Sequence, residues 1–409
     1  MEDFTGYLLH EKRLAQNMKQ SELCAGICSI SYLSKIESGA AKAGSDVLTL
    51  LFRRLGVTDW SPKPASAEER ALLMRFFTAV LLRHKDMTAL RNELAPLAPR
   101  WEATEMEPNK RLFELYDAYL RSEDLTAALR EALPFRRWMS AGQQLLLSNL
   151  YVVYHAAEET ALSLARQADE AYPCSLSAMN VATCCFVRGS YQEALRQAEH
   201  AFDRAVREGC VTLMADSSMT IGNCYANLGE LPLMRDAMTR AAALLPEDRV
   251  LQAEVAYNLG ATYMEFGYDR EALPELRKTA AEEAAGAHTR LLALHKLTLS
   301  LSALHRRDEA AACLTRARAL LADYDAAYDR EMITRLLALA ELRLNPDYLD
   351  DPAYETALTA LCRNADGLFP HGFVQFHERF LEELLCHKRR YKEAYRLVKA
   401  REDKRSHLD

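Results

Sequence analysis

The feature that most restricts the fold is a turn that recurs at nearly constant spacing. Gly189, Gly229, Gly267 and His305 align at one position, separated by 40, 38 and 38 residues. An apolar stretch precedes the turn and a polar one follows it, as in MNVATCCFVRGSYQEALRQAEHAF, YNLGATYMEFGYDREALPELRKTA and HKLTLSLSALHRRDEAAACLTRARAL. Ala194, Ala272 and Ala310 lie five residues after the turn, and Met234 holds that place in the degenerate unit at Gly229. A last fragment, RRYKEAYRL, repeats the second half at Tyr391 and Ala394. A turn of this kind between two amphipathic stretches specifies a helical hairpin, and alanine lets paired helices approach closely. Hairpins repeated at a fixed period bury their apolar faces only by stacking, so the expected product is a superhelical solenoid. Sparse Gly and Pro, 15 and 13 in 409 residues, agree with an all-α chain.

The first sixty residues carry a different pattern. Leu8, Leu9 and Leu14 mark an apolar side of a first helix, and Gln20 opens a short second helix that contains Leu23 and Cys24. Gly26 ends that helix, Ser29 is a good N-cap for a third, and Gly39 stops the third. Leu33 and Ile36 face inward, leaving Ile30, Ser31, Tyr32, Ser34 and Lys35 nearer the outside. VLTLLFRRLGV supplies a further amphipathic helix. Two short helices across a tight turn, the second polar and cation-bearing, make a helix-turn-helix. Pro62 and Pro64 then mark a stiff linker, and Ser66 with Glu69 forms a capping-box signature for the next helix. The expected organisation is a helix-turn-helix domain at 1–60, a linker at 61–69, a repeat domain at 70–401 and a tail at 402–409.

The N-terminal pattern resembles the phage-repressor-like (XRE) class. That class has an Arg in helix 1, Gln-x-x-Leu-Ala in helix 2 and Ile-Ser-x-Ile-Glu-x-Gly closing helix 3. Here these positions are Arg13, Gln20 to Cys24, and Leu33-Ser34-Lys35-Ile36-Glu37-Ser38-Gly39. The resemblance implies a five-helix-type domain with an internal ion pair between Arg13 and Glu37. The connection from Leu23 to Ile36 is one residue shorter than usual in that class, and the string GICSISYLSKIE is similar to the RNPP family of peptide-sensing regulators, especially its PlcR-like members. The hairpins resemble tetratricopeptide repeats with a period longer than the usual ~34 residues, and the resemblance implies a right-handed superhelical solenoid.

These readings assign candidate residues. A recognition helix places its N-terminal end towards base edges, which makes Ile30, Ser31, Tyr32 and Lys35 candidate readers. Lys19, Gln20, Ser29 and Lys42 are placed for phosphates. Residues 1–64 carry eight Lys/Arg and seven Asp/Glu, so one copy neutralises few phosphates and a homodimer on a two-fold double-stranded DNA site is expected. In the repeats, the position nine residues before each turn is polar: Asn180, Thr220, Asn258 and Lys296, with Asn223 and Asn227 nearby. An Asn amide both donates to and accepts from a peptide backbone. RNPP regulators use Asn in this way, so the resemblance implies a short linear signalling peptide as ligand. Two other readings stay open: an interaction scaffold tethered to DNA, and a constitutive dimeric repressor.

Several function classes lack support in the sequence. There is no Gly-rich phosphate loop, no HExxH and no nucleophile elbow. His371 and His377, six apart, share a helix face poorly, and His377 beside Glu378 reads as a solvated pair. Ten scattered cysteines read as small core residues in a reducing cytoplasm; Cys24 and Cys28 lack a second ligand pair for zinc. No cofactor, metal or membrane span is expected, and a net charge of −7 confines any DNA contact to a local surface.

Overall fold

The computed structural model describes residues 4–57, 60, 66–82, 86–101, 106–121, 123–324, 327–369 and 371–406. All regular structure among them is helical. The chain divides into two compact units, 1–188 with 200–213, and 189–199 with 214–409.

The first unit opens with α1 (Phe4–Ala15), α2 (Gln20–Cys24), α3 (Ile30–Glu37) and α4 (Ser45–Arg54). Leu8, Leu9, Leu23, Leu33, Ile36, Leu51 and Phe52 close around one core. Gly6 lets α1 press against α3: a Cβ there would lie 1.8 Å from the Ile36 carbonyl oxygen. Four helices thus fall before residue 55, and α5 (Ala67–Leu81) follows beyond the domain boundary. Its Ser66–Glu69 capping box forms as expected, which starts the helix inside the segment assigned to the linker. Pro62 and Pro64 lie outside the described residues. Next come α6 (Met87–Leu94), α7 (Glu107–Leu120), α8 (Thr126–Ala132), α9 (Ala141–His155), α10 (Glu159–Ala171) and α11 (Ser175–Val187).

The two units share α12 (Tyr191–Glu208) and α13 (Val211–Leu228). The second unit continues through α14 (Leu231–Leu244), α15 (Arg249–Glu265), α16 (Asp269–Ala281), α17 (Gly286–Ala303), α18 (Arg307–Ala322), α19 (Ala327–Leu342), α20 (Pro352–Arg363), α21 (His371–His387) and α22 (Tyr391–Ser406). The repeat register is visible in the backbone. Gly189, Gly229, Gly267 and His305 have φ of 82°, 87°, 80° and 58°, so all four turns use the left-handed region. His305 accepts there a strain that glycine avoids. Arg389, at the same register before Tyr391, does likewise at 57°. Five residues on, Ala194, Met234, Ala272, Ala310 and Ala394 are buried. Seven residues before the turns, Gly222 and Gly260 bring helices together: a Cβ on Gly260 would lie 2.6 Å from Leu276 Cγ. Helix α22 runs on to Ser406, past the expected end of the repeats at 401.

Candidate functional site

The N-terminal site is built around a buried ion pair. Arg13 and Glu37 are 7% and 5% exposed. Arg13 Nε and Nη2 donate to the Glu37 carboxylate at 2.7 and 2.9 Å, and Nη1 donates to the Met18 carbonyl at 2.8 Å. Gln20 Nε2 adds a 2.8 Å bond to the same carboxylate. One carboxylate therefore ties α1, α2 and α3 together, and the fork geometry of arginine suits a two-oxygen acceptor. Arg54 fastens α4 to the end of α2 by donating to the Leu23 carbonyl at 2.9 Å.

This frame presents the start of α3 to solvent. Ser29 Oγ accepts from the Tyr32 amide at 3.1 Å, the expected N-cap. Ile30, Ser31 and Lys35 are exposed, as are Lys19, Ser29 and Lys42. Ile30 is 51% exposed, a large apolar side chain with no core to enter. Tyr32 is half-buried and its hydroxyl donates to the Lys42 carbonyl at 3.2 Å, which orders the segment after α3. Gln20 is also half-buried, and its amide serves Glu37. Of the eight candidates, six thus lie open on the surface, while Tyr32 and Gln20 are engaged within the fold.

The domain is also docked onto the helices that follow. Glu11 on α1 meets Arg111 on α7, with Nη2 to Oε2 at 2.5 Å. The Arg111 guanidinium lies 4.0 Å from the Phe135 ring centroid. Tyr7 meets Phe135 edge-on at 5.0 Å and Trp138 at 3.8 Å. Burial and the Glu11 charge raise the Tyr7 phenol above its usual pKa. Sequence reading missed Gly6, Tyr7, Glu11 and Arg111, because each answers to a partner in a distant segment.

The repeat positions divide. Asn180 is in the first unit, 4% exposed, with its Nδ2 unpartnered among the described residues. Thr220, Asn223, Asn227 and Asn258 are half-buried in the second unit. Thr220 donates to the Asp216 carbonyl at 3.1 Å, and Asn227 Nδ2 to the Asn223 carbonyl at 2.8 Å. Lys296 is different: it is 4% exposed, and its Nζ lies 3.0 Å from the Phe376 ring centroid on α21. Beside it, His295 and His377 are buried with ring centroids 5.6 Å apart. The reading of His377 and Glu378 as a solvated pair is therefore corrected, since His377 is fully enclosed. Its place in HGFVQFHE, between Phe373, Phe376 and Phe380, was the signal for an interior position.

Residues 9–59 match the helix-turn-helix family HTH_3. This segment is a helix-turn-helix domain. The domain spans α1 to α4 apart from the first turn of α1. No curated protein matches the chain. Solved structures match it in fold across most of its length. A Rap protein complexed with competence and sporulation factor superposes with a TM-score of 0.66 at 15% identity, covering 84% of this chain and 99% of its own. The apo quorum sensor NprR from B. thuringiensis gives 0.57 at 15% identity, covering 82% and 98%. Apo RapI gives 0.51 at 13%, covering 80% and 99%. The fold of this chain is therefore that of these helical-repeat proteins. Among the described residues, no helix is long and apolar enough to cross a membrane, and no group of three or more His, Cys, Asp or Glu could hold a metal.

Proposed function

We propose that the chain is a cytoplasmic transcription regulator of the RNPP type, not an enzyme. It binds double-stranded DNA through the helix-turn-helix domain, and a short linear signalling peptide bound to the repeat domain sets that affinity. One observation carries the reading: a helix-turn-helix domain at 9–59 shares a chain with a repeat fold like that of Rap and NprR.

The N-terminal end of α3 enters the major groove, where Ser31 and Lys35 donate to base acceptors and Ile30 meets thymine methyls. Lys19, Ser29 and Lys42 hold the phosphates, and Tyr32 and Gln20 act through the shape they give the domain. A homodimer places two copies on a two-fold site, compensating for the weak charge of one. In the second unit the half-buried amides of Asn223, Asn227 and Asn258, with Thr220 and the buried Lys296, contribute to the peptide-responsive surface, and in the first unit the buried Asn180 is a separate candidate. A peptide shifts activity only by binding one arrangement of the molecule more tightly than another.

The test is a gel shift on an operator selected from random duplex, with and without the short peptides encoded beside the gene. DNA binding that changes with one of them supports the reading. Binding that ignores all of them, together with a stable folded partner in a pull-down, supports the scaffold instead.

A further inference from the structure

We propose that the groove between α16 and the turn before α18 docks an acidic segment of a partner protein, one that sets a carboxylate beside an apolar side chain. The groove has a volume of about 390 Å³ and is lined by Arg270, Leu273, Pro274 and Arg277 on α16 and by Leu304 and Arg306 at the turn. Residues 270, 273, 274 and 277 share one stripe of a helix, so the sequence itself groups them. Leu273 is buried, Leu304 half-buried and Pro274 exposed, which makes an apolar floor rimmed by three guanidiniums. No acid stands in the lining.

The rim is held in place. Glu309 on α18 accepts from Arg277 Nη2 at 2.9 Å and from Arg306 Nε and Nη2 at 2.6 and 2.8 Å. The turn is fixed by its backbone: the His305 amide donates to the Ser302 carbonyl at 3.0 Å, and the Arg306 amide to the Leu301 carbonyl at 2.8 Å. A partner therefore meets two arginines that are already ordered, which lowers the entropy cost of binding.

The groove has unmet capacity of two kinds. Arg277 and Arg306 share one carboxylate, and the exposed Arg270 has no acidic partner among the described residues. The other acids of these elements do not cancel this charge. Asp269 accepts from Ser300 Oγ at 2.8 Å, and Asp308 is offset by the adjacent Arg307. Glu271 and Glu275 lie about 100° and 140° round α16 from Arg270, outside the stripe. The second kind is a backbone acceptor. Pro274 has no N–H, so it cannot close the helical bond to the Arg270 carbonyl four residues earlier. A protein segment complements every part: a carboxylate for the guanidiniums, an N–H for the carbonyl, an apolar side chain for the floor. A phosphate supplies only the anion and leaves the floor uncovered. Arginine suits such a surface, because its fork pairs carboxylates and its stem lies on apolar neighbours. The groove belongs to α16 and α18, whereas Asn223, Asn227 and Asn258 belong to α13 and α15, so it stands independently of the signalling-peptide reading.

The experiment uses the full chain and a fluorescein-labelled pool of heptapeptides in which Glu alternates with Leu or Phe, followed by fluorescence anisotropy. The groove predicts binding that weakens about tenfold or more when every Glu becomes Gln, when the apolar residues become Ser, or when the protein carries Arg270→Glu. Arg270 has no partner to lose, so that variant keeps its melting temperature. Lys399→Glu on α22 makes the same charge change far along the chain and leaves binding unchanged. Absence of binding by the acidic pool overturns the proposal, as do equal binding of the Gln pool and equal losses in Arg270→Glu and Lys399→Glu. Displacement of the pool by inorganic phosphate at the concentrations where free acetate fails assigns a phosphate site and overturns the protein segment. Binding lost in Asn258→Ala but kept in Arg270→Glu moves the pool to the peptide-responsive surface, which overturns the groove and leaves the signalling-peptide reading standing.

Discussion

Replacing Arg13 with Ala is the sharpest perturbation of the DNA-binding half. The substitution removes two charge-assisted bonds to Glu37 and the bond that satisfies the Met18 carbonyl. It leaves a carboxylate that is 5% exposed with Gln20 as its remaining side-chain donor. Breaking a buried pair by deleting one partner costs about 3–5 kcal/mol, because the surviving charge is uncompensated. Whole domains are stable by only about 5–15 kcal/mol, so the helix-turn-helix domain should open far more often. Hydrogen exchange read at the amides of α1, α2 and α3 should accelerate by two orders of magnitude or more, while α15 to α18 keep their protection. Removing both charges at once, as in Arg13→Met with Glu37→Leu, should recover most of the loss, since no stranded charge remains. A single variant within about 1 kcal/mol of wild type, or a double variant no better than the single, would refute the view that one buried carboxylate organises the domain.

Other outcomes follow from the same geometry. Gly6→Ala places a methyl group 1.8 Å from the Ile36 carbonyl oxygen, so α1 and α3 must part; circular dichroism and DNA binding should both report a weakened domain, and wild-type behaviour would count against the close approach. Charge reversal at Glu11 should loosen the docking of α1 on α7, seen as faster hydrogen exchange in α1, and reversal at Arg111 should loosen it more, since Arg111 also meets Glu107 and the Phe135 ring; equal effects of the two would count against this arrangement. His295 and His377 are neutral in the fold with pKa values held below the ordinary value of about 6.5, so below that pH the unfolded chain binds more protons and stability falls. Between pH 7 and 5.5 the two should together remove about 2.5 kcal/mol, measured by urea unfolding, and His377→Phe should flatten the slope.

Much of this architecture was legible in the residues, and the reasons differ by feature. The repeat register could be read because a left-handed turn restricts composition: glycine at 189, 229 and 267 marked it. His305 was aligned there by its neighbours rather than its type. The Arg13–Glu37 pair came through a resemblance, since nothing in the spacing of two residues 24 apart requires them to meet. Polarity at a periodic position was less informative. It marked Asn258 and Lys296 alike, but Asn258 is half-buried while Lys296 lies beneath an aromatic ring of α21, about eighty residues later in the chain. The docking of Tyr7 and Glu11 was hidden for the same reason: a helix pattern shows which face is apolar, not which distant segment covers it. The start of α5 was legible because the Ser66–Glu69 capping box fixes the first helical residue, and the helix accordingly begins at Ala67.

The central claim is that ligand and DNA are coupled through the repeat domain, and reciprocal binding tests it most directly. Full-length protein would be titrated into fluorescent operator duplex with and without saturating peptide, and peptide binding measured with and without duplex. The account predicts that the peptide changes DNA affinity severalfold and that DNA changes peptide affinity by the same factor, as linkage requires. Peptide that binds tightly yet leaves DNA affinity unchanged would contradict it.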